Sequence, residues 1–272
     1  MLDPSPTPCI LVAIDGSPSA VDAALWAIDE AIERDVPLRL VYVTEPADPQ
    51  ATDPQDDAHR IAEVALRHAL TAVESTERPV KLEVEILQGR PVQALLEAAR
   101  SAVMLCVGAR GLKHATQGRI GSTAAALSAA AHCPVAIVRT HRAHSGPNRA
   151  VVIEVTDTPA GSAVLQRGLD AAQRRGAPIT VLTPARMYGD VQAHWQRRLA
   201  EWQRRYPDLD ITSVSTQGDG LDYIAAYAGS IQLVVVGRDR PGGISALLGP
   251  LGNTALRDTD CSILVCEPQN AL

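Results

Sequence analysis

The 272-residue sequence contains no phenylalanine, and Trp and Tyr together supply an aromatic share of only 3%. The core must therefore be aliphatic, packed from Ala, Val, Leu and Ile. A basic excess is missing too: 25 Lys and Arg stand against 31 Asp and Glu, a formal net charge of -6. Nucleic-acid binders carry a basic patch or stripe, so this balance argues against a nucleic-acid partner and against adhesion to anionic membranes. No stretch approaches the ~20 apolar residues of a membrane span. The first apolar run, Cys9–Ile14, has no Lys or Arg ahead of it and ends at Asp15, which is the wrong length and flank for a signal peptide. A cytoplasmic protein is expected. Metal-site spacing is absent among the seven histidines and the five cysteines, Cys9, Cys106, Cys133, Cys261 and Cys266. The cysteines read as small buried hydrophobes in a reducing compartment.

What is present is a unit written twice. Residues 80–110 align with 209–239 without a gap: Gln88-Gly89 falls on Gln217-Gly218, Ser101 on Ser230 and Gly108 on Gly237. Upstream, Ile14-Asp15-Gly16-Ser17-Pro18 falls on Val155-Thr156-Asp157-Thr158-Pro159, and downstream Cys133–Val138 falls on Cys261–Cys266. A period this long is a duplicated domain rather than a solenoid repeat. The expected domains are 1–140 and 150–272, joined by the polar Gly- and Pro-bearing stretch 141–149.

Within the first unit the hydrophobic period switches repeatedly. Residues 9–14 are a β-branched apolar run, hence a strand. Val21, Leu25, Ile28 and Ile32 recur at helical spacing in 19–35, with Ser17 or Ser19 as cap and Pro18 suited to the first turn. Strands follow at 38–43, 80–87, 103–107 and 135–138, and helices at 58–75, 91–100 and 122–131. Residues 45–57, rich in acids and proline, read as a loop, and 108–120 as a long glycine-bearing loop. Several strands are apolar on both faces, as a parallel sheet covered by helices requires. The expected fold is therefore α/β: two tandem, doubly wound, open five-stranded parallel α/β sandwiches. Ligands are expected outside the carboxyl ends of the strands.

The informative stretch is Val107-Gly108-Ala109-Arg110-Gly111, nine further residues, then Gly121-Ser122-Thr123. Glycine lets backbone approach a ligand closely. Gly121-Ser122-Thr123 opens an Ala-rich helix whose free N–H groups and positive dipole end suit phosphate, and two hydroxyls add donors. Asp15, just past the first strand, is placed to hydrogen-bond a ribose hydroxyl. Neither a P-loop nor a G-x-G-x-x-G fingerprint is present. The pattern resembles the universal stress protein family in its ATP-binding branch, which carries G-x2-G-x9-G-[S/T] after the fourth strand. Gly108, Gly111, Gly121 and Ser122 match at every position. The layout is similar to the tandem two-domain members common in mycobacteria and related actinobacteria.

The resemblance implies bound ATP, with or without Mg, and a regulatory or signalling role in stress adaptation. Asp15 and backbone near Ala13 would meet adenosine, and Val43 would line the adenine pocket beside Val107. Gly108, Arg110 and Gly111 would approach ribose and phosphates, and Gly121, Ser122 and Thr123 would cradle the phosphates. It also implies that the fifth strands, 135–138 and 263–266, pair across a pseudo-twofold axis, and that whole chains form homodimers. The second unit departs from the pattern. Thr156 replaces Asp15, with Asp157 one residue on; Arg240 replaces the second glycine; Pro250 replaces Ser122 and so removes an N–H and a hydroxyl. Its nucleotide site is expected to be degenerate. Apart from Asp15 the motif holds no acid, so binding without turnover is expected. A slow ATPase or phosphotransferase, or an interaction scaffold with a vestigial site, are the alternatives. The repeat of WQRR in 194–206 puts Trp195 and Trp202 on one helix face, either packed on the sheet or offered to a partner.

Overall fold

The computed structural model describes residues 7–45, 54–112, 120–140, 149–158, 160–184, 189–217, 220–256 and 259–267. The chain divides into unit one, Met1–His141, and unit two, Arg142–Leu272. Unit one runs β1 (Cys9–Ile14), α1 (Pro18–Glu33), β2 (Leu38–Thr44), α2 (Pro54–Glu74), β3 (Leu82–Gln88), α3 (Pro91–Ala98), β4 (Ala102–Gly108), α4 (Ser122–Ala130) and β5 (Val135–Val138). Unit two runs β6 (Ala150–Glu154), α5 (Ala160–Arg175), β7 (Ile179–Pro184), α6 (Gly189–Arg205), β8 (Ile211–Thr216), α7 (Leu221–Tyr227), β9 (Ile231–Gly237), α8 (Gly243–Leu248), α9 (Pro250–Ala255) and β10 (Ser262–Cys266).

Each unit is an all-parallel sheet of the same order. Unit one reads β3-β2-β1-β4-β5 and unit two β8-β7-β6-β9-β10. The strand order reverses beside β1 and beside β6, and a crevice opens at the carboxyl ends of the strands at such a switch point. The duplication extends to irregularities. The β1–β4 register slips between Cys9 and Ile10, and the β6–β9 register slips at the corresponding place, between Ala150 and Val151.

The core is aliphatic, as the composition requires. Ile10, Leu11, Leu40 and Leu105 in unit one, and Val152, Ile153, Leu165 and Val235 in unit two, are fully buried. Small residues bring α1 onto the sheet: Ala20, Ala23, Ala24, Ala27 and Ala31 all face inward. All five cysteines are free and buried. Burial pushes the Cys106 thiol well up and Cys266 up to about 12, so they behave as apolar packing groups. Unit one holds a single tryptophan, Trp26, and a single tyrosine, Tyr42. In unit two the buried Trp195 and Trp202 pack inward from α6, so the repeated tryptophan face is core. Trp202 also stacks on Tyr206 at 5.4 Å with the Arg205 guanidinium over its ring.

One helix boundary corrects the sequence reading. α2 begins at Pro54, inside the stretch read as loop, not at residue 58. Proline is preorganised for the first helical turn, and the Asp57 carboxylate favours the positive end of the helix dipole. The features read as loop signals are also those of a helix start. In unit two the stretch after Gly237 contains α8, entered through Gly242 and Gly243 at φ 76 and 69.

Candidate functional site

The site is built on the first turn after β1. Asp15 Oδ1 accepts from the Ser17 N–H at 2.9 Å, and between them Gly16 turns the chain at φ 83, a conformation that favours glycine. Ser17 then caps α1, its Oγ accepting from the Ala20 N–H at 3.2 Å. The same hydroxyl donates to the Arg110 carbonyl at 3.1 Å, and the Ser19 hydroxyl donates to the Val138 carbonyl at 3.2 Å. The Ala109 N–H reaches that same Val138 oxygen at 2.7 Å. The start of α1 thus holds the segment after β4 against the end of β5.

The three motif glycines serve different ends. A Cβ on Gly108 would lie 2.7–2.8 Å from the backbone of Ser19 and Ala20, so this glycine lets β4 pass beneath the first turn of α1. Its absence of side chain is needed by the fold itself. A Cβ on Gly111 would meet Asp15 Oδ2 at 2.9 Å, so Gly111 keeps the carboxylate clear. Gly121 has room for a Cβ, with Ala109 O at 3.8 Å and Gly111 N at 3.9 Å. The Gly121 N–H donates to the Ala109 carbonyl at 2.9 Å, which fixes where α4 begins. None of the three has a positive φ; close approach, not backbone conformation, explains Gly108 and Gly111.

These elements surround a cleft of about 500 Å³ at the carboxyl ends of β1, β2 and β4. All ten residues singled out from the sequence line it: Ala13, Asp15, Val43, Val107, Gly108, Arg110, Gly111, Gly121, Ser122 and Thr123. The walls are apolar where Val41, Val43, Val107 and Leu95 meet, and polar where Asp15, Ser122 and Thr123 stand. No side chain caps α4 at Gly121, and Ser122 and Thr123 are exposed at its first turn. Arg110 is exposed, with its backbone rather than its guanidinium tied into the fold. Lys113, His114, Gly118 and Arg119 of the 108–120 loop lie outside the described residues.

Sequence reasoning missed Tyr42, Thr44 and Glu45, which extend the lining along the end of β2, and Ile61, Pro91 and Leu95 from α2 and α3. Tyr42 was findable, being next to Val43. The Tyr42 hydroxyl is pushed up by burial and by the negative charge of Asp15. The helix residues carry no motif and were not findable. A neighbouring hollow of about 430 Å³ shares Asp15, Ile61 and Leu112 with the cleft. Among the described residues no group of three or more His, Cys, Asp or Glu is placed to hold a metal, and no helix is long and apolar enough to cross a membrane.

Unit two treats the same positions differently. Thr156 stands buried in the place of Asp15, and Asp157, one residue on, is exposed. Thr158, at the position of Ser17, donates to Asp239 Oδ2 at 2.6 Å and exchanges a hydrogen bond with Thr156. Pro250 opens α9 behind Gly249.

Comparison with known proteins places this geometry among relatives. Residues 9–139 match the profile described as "Universal stress protein family". A universal stress protein of Mycobacterium tuberculosis H37Rv is 44% identical over 271 residues, covering 96% of this chain and 97% of that protein. A second from the same organism is 38% identical over 260 residues, covering 94% and 95%. Among solved structures, a universal stress protein from Archaeoglobus fulgidus superposes with a TM-score of 0.72 at 15% identity, over 97% of this chain and 100% of that one.

Proposed function

The chain belongs to the universal stress protein family, and from that premise we propose that unit one binds an adenine nucleotide, ATP, as a regulatory rather than catalytic protein in stress adaptation. The observation that carries this reading is the convergence in one cleft of the Asp15 carboxylate, the apolar end of β2 and the uncapped, hydroxyl-bearing first turn of α4. A nucleoside phosphate needs these three kinds of surface together, and the cleft volume falls in the range of small-molecule sites, roughly 300–1,000 Å³. Val43 and Val107 would flank the base with the backbone at Ala13, and Asp15 would accept from a ribose hydroxyl. Gly111 and the Gly121–Thr123 turn would present N–H and hydroxyl donors to the phosphates, with Arg110 supplying charge. Magnesium would arrive on the phosphates.

The free energy of binding acts on conformation only through different affinities for two states. The loop that joins Gly111 to Gly121, both of which line the cleft, is our candidate responder. Nucleotide released on denaturing the purified protein, quantified per chain, tests the reading directly. Bound adenine nucleotide at about one per chain, lost in Asp15→Ala, is expected. Protein that is nucleotide-free and that gives no heat on titration with Mg-ATP would sink it.

A further inference from the structure

The second unit carries a pair of substitutions that make sense only together. By strand register Glu154 occupies the position of Ala13: Ala13 pairs with Val41 and Val107, and Glu154 pairs with their counterparts Leu182 and Val236. Arg240 follows Gly237 by three residues, as Gly111 follows Gly108. Thus two small residues lining the cleft of unit one are replaced by two large residues of opposite charge. Nε of Arg240 donates to Glu154 Oε2 at 2.7 Å, and an Nη donates to Oε1 at 3.3 Å. The side chains are 0% and 5% exposed. The other Nη donates to the Gly243 carbonyl at 3.1 Å, at the start of α8.

The place of the carboxylate is equally telling. Glu154 Oε1 lies 3.3 Å from where a Cβ on Gly220 would stand, and Leu182 Cδ1 lies 3.1 Å from the same point. Gly220 and Leu182 are the counterparts of Pro91 and Val41, both of which line the cleft of unit one. The carboxylate therefore sits among the counterparts of the walls of the cleft. Around it the loop is closed by its own side chains, with Asp239 held by Thr158 and Arg240 held by Glu154 and Gly243.

We infer that the Glu154–Arg240 ion pair is a built-in occupant of the second cleft, which shuts out nucleotide and holds the following loop closed without a ligand. The inference rests on the reading of unit one as the nucleotide site. An arginine recruited to bind phosphate would leave its guanidinium open to the cleft. This one is committed on both edges and is out of contact with water. Charges so deeply buried must be paired, and removing one partner strands the other.

The test uses the full chain and has two arms. Without nucleotide, Arg240→Ala and Glu154→Ala should each lower the unfolding midpoint by on the order of 10 °C. The double variant Glu154→Ala/Arg240→Gly, which restores the residues of unit one, should lose less than the sum of the two. Additive losses would overturn the pairing. In the second arm, Mg-ATP is titrated into the wild type, Asp15→Ala, and Glu154→Ala/Thr156→Asp/Arg240→Gly/Pro250→Ser, which also returns the carboxylate missing at the Asp15 position. One equivalent is expected in the wild type, none in Asp15→Ala, and two in the quadruple variant, with new amide protection at 238–249. A folded quadruple variant that still binds one equivalent overturns the inference. So does a wild type that binds two and loses one on Arg240→Ala, since Arg240 would then be a phosphate ligand. A wild type that binds none refutes the nucleotide reading of unit one instead, and the thermal arm still judges the pair.

Discussion

The loops after β4 and β9 begin at equivalent glycines and then part company. After Gly108, unit one places Gly111 beside Asp15, and a cleft remains. After Gly237, unit two fills the equivalent space with Arg240 and ties Asp239 to Thr158. Yet β4 (Ala102–Gly108) and β9 (Ile231–Gly237) correspond residue for residue, and the register slip is repeated. The requirements of the fold and those of the cleft are therefore separable. Strand register and the glycine ending the fourth strand survive in both copies, while the residues that would face a ligand diverge.

That contrast can be broken or sharpened experimentally, starting with what the two units share. Both bury thiols whose pKa values lie above the ordinary 9.0, Cys106 in unit one and Cys266 in unit two. For Cys266 the folded value of about 12 exceeds the unfolded one, so its contribution is complete below pH 9 and is lost as pH rises from 9 to 12. At the top of that window the loss amounts to about 4 kcal/mol. Unfolding followed against pH should show both units weakening on the alkaline side, and Cys266→Val, the residue at the equivalent position of β5, should relieve unit two alone.

The next effect separates cleft from fold. Ser122→Ala removes a charge-assisted donor and should cost about 1.5–3 kcal/mol of ATP affinity, tenfold to a hundredfold, with unfolding unchanged. Titration calorimetry beside a thermal scan reads both quantities. Gly121→Val should lose binding more completely and also leave the fold intact, because a Cβ there has room. Gly108→Ala should do the reverse. Its methyl meets the backbone of Ser19, costing about 1–3 kcal/mol of unit-one stability, which urea unfolding would measure. The smallest effect is at the cap. Ser17→Ala should cost about 1 kcal/mol and should also raise amide exchange near Arg110, whose carbonyl loses its donor.

Much of the fold was legible because parallel strands buried on both faces write themselves as apolar runs, and the duplication states the topology twice. The boundary of α2 was not, since Pro54 and its acidic followers signal a helix start and a loop alike. In the site, the glycine spacing marks the loop and the start of α4, but the purpose of Gly108 is a contact with Ser19 and Ala20 of α1, 88–89 positions away along the chain and invisible to spacing. The Glu154–Arg240 pair spans 86 residues. Each substitution alone looks like drift, and only the register places one opposite the other. Ile61 and Leu95 belong to the cleft through packing, for which a single sequence offers no motif.

The scarcity of aromatic residues has an optical consequence. Unit one contains one indole, Trp26, buried on α1, and one phenol, Tyr42, at the cleft. Trp195 and Trp202 belong to unit two, the latter stacked on Tyr206 under the Arg205 guanidinium. With no phenylalanine in the chain, its intrinsic emission divides by unit. Replacing Trp26 leaves only the indoles of unit two, and replacing Trp195 and Trp202 leaves only that of unit one. Nucleotide titration and unfolding can then be followed in each half without attaching a dye.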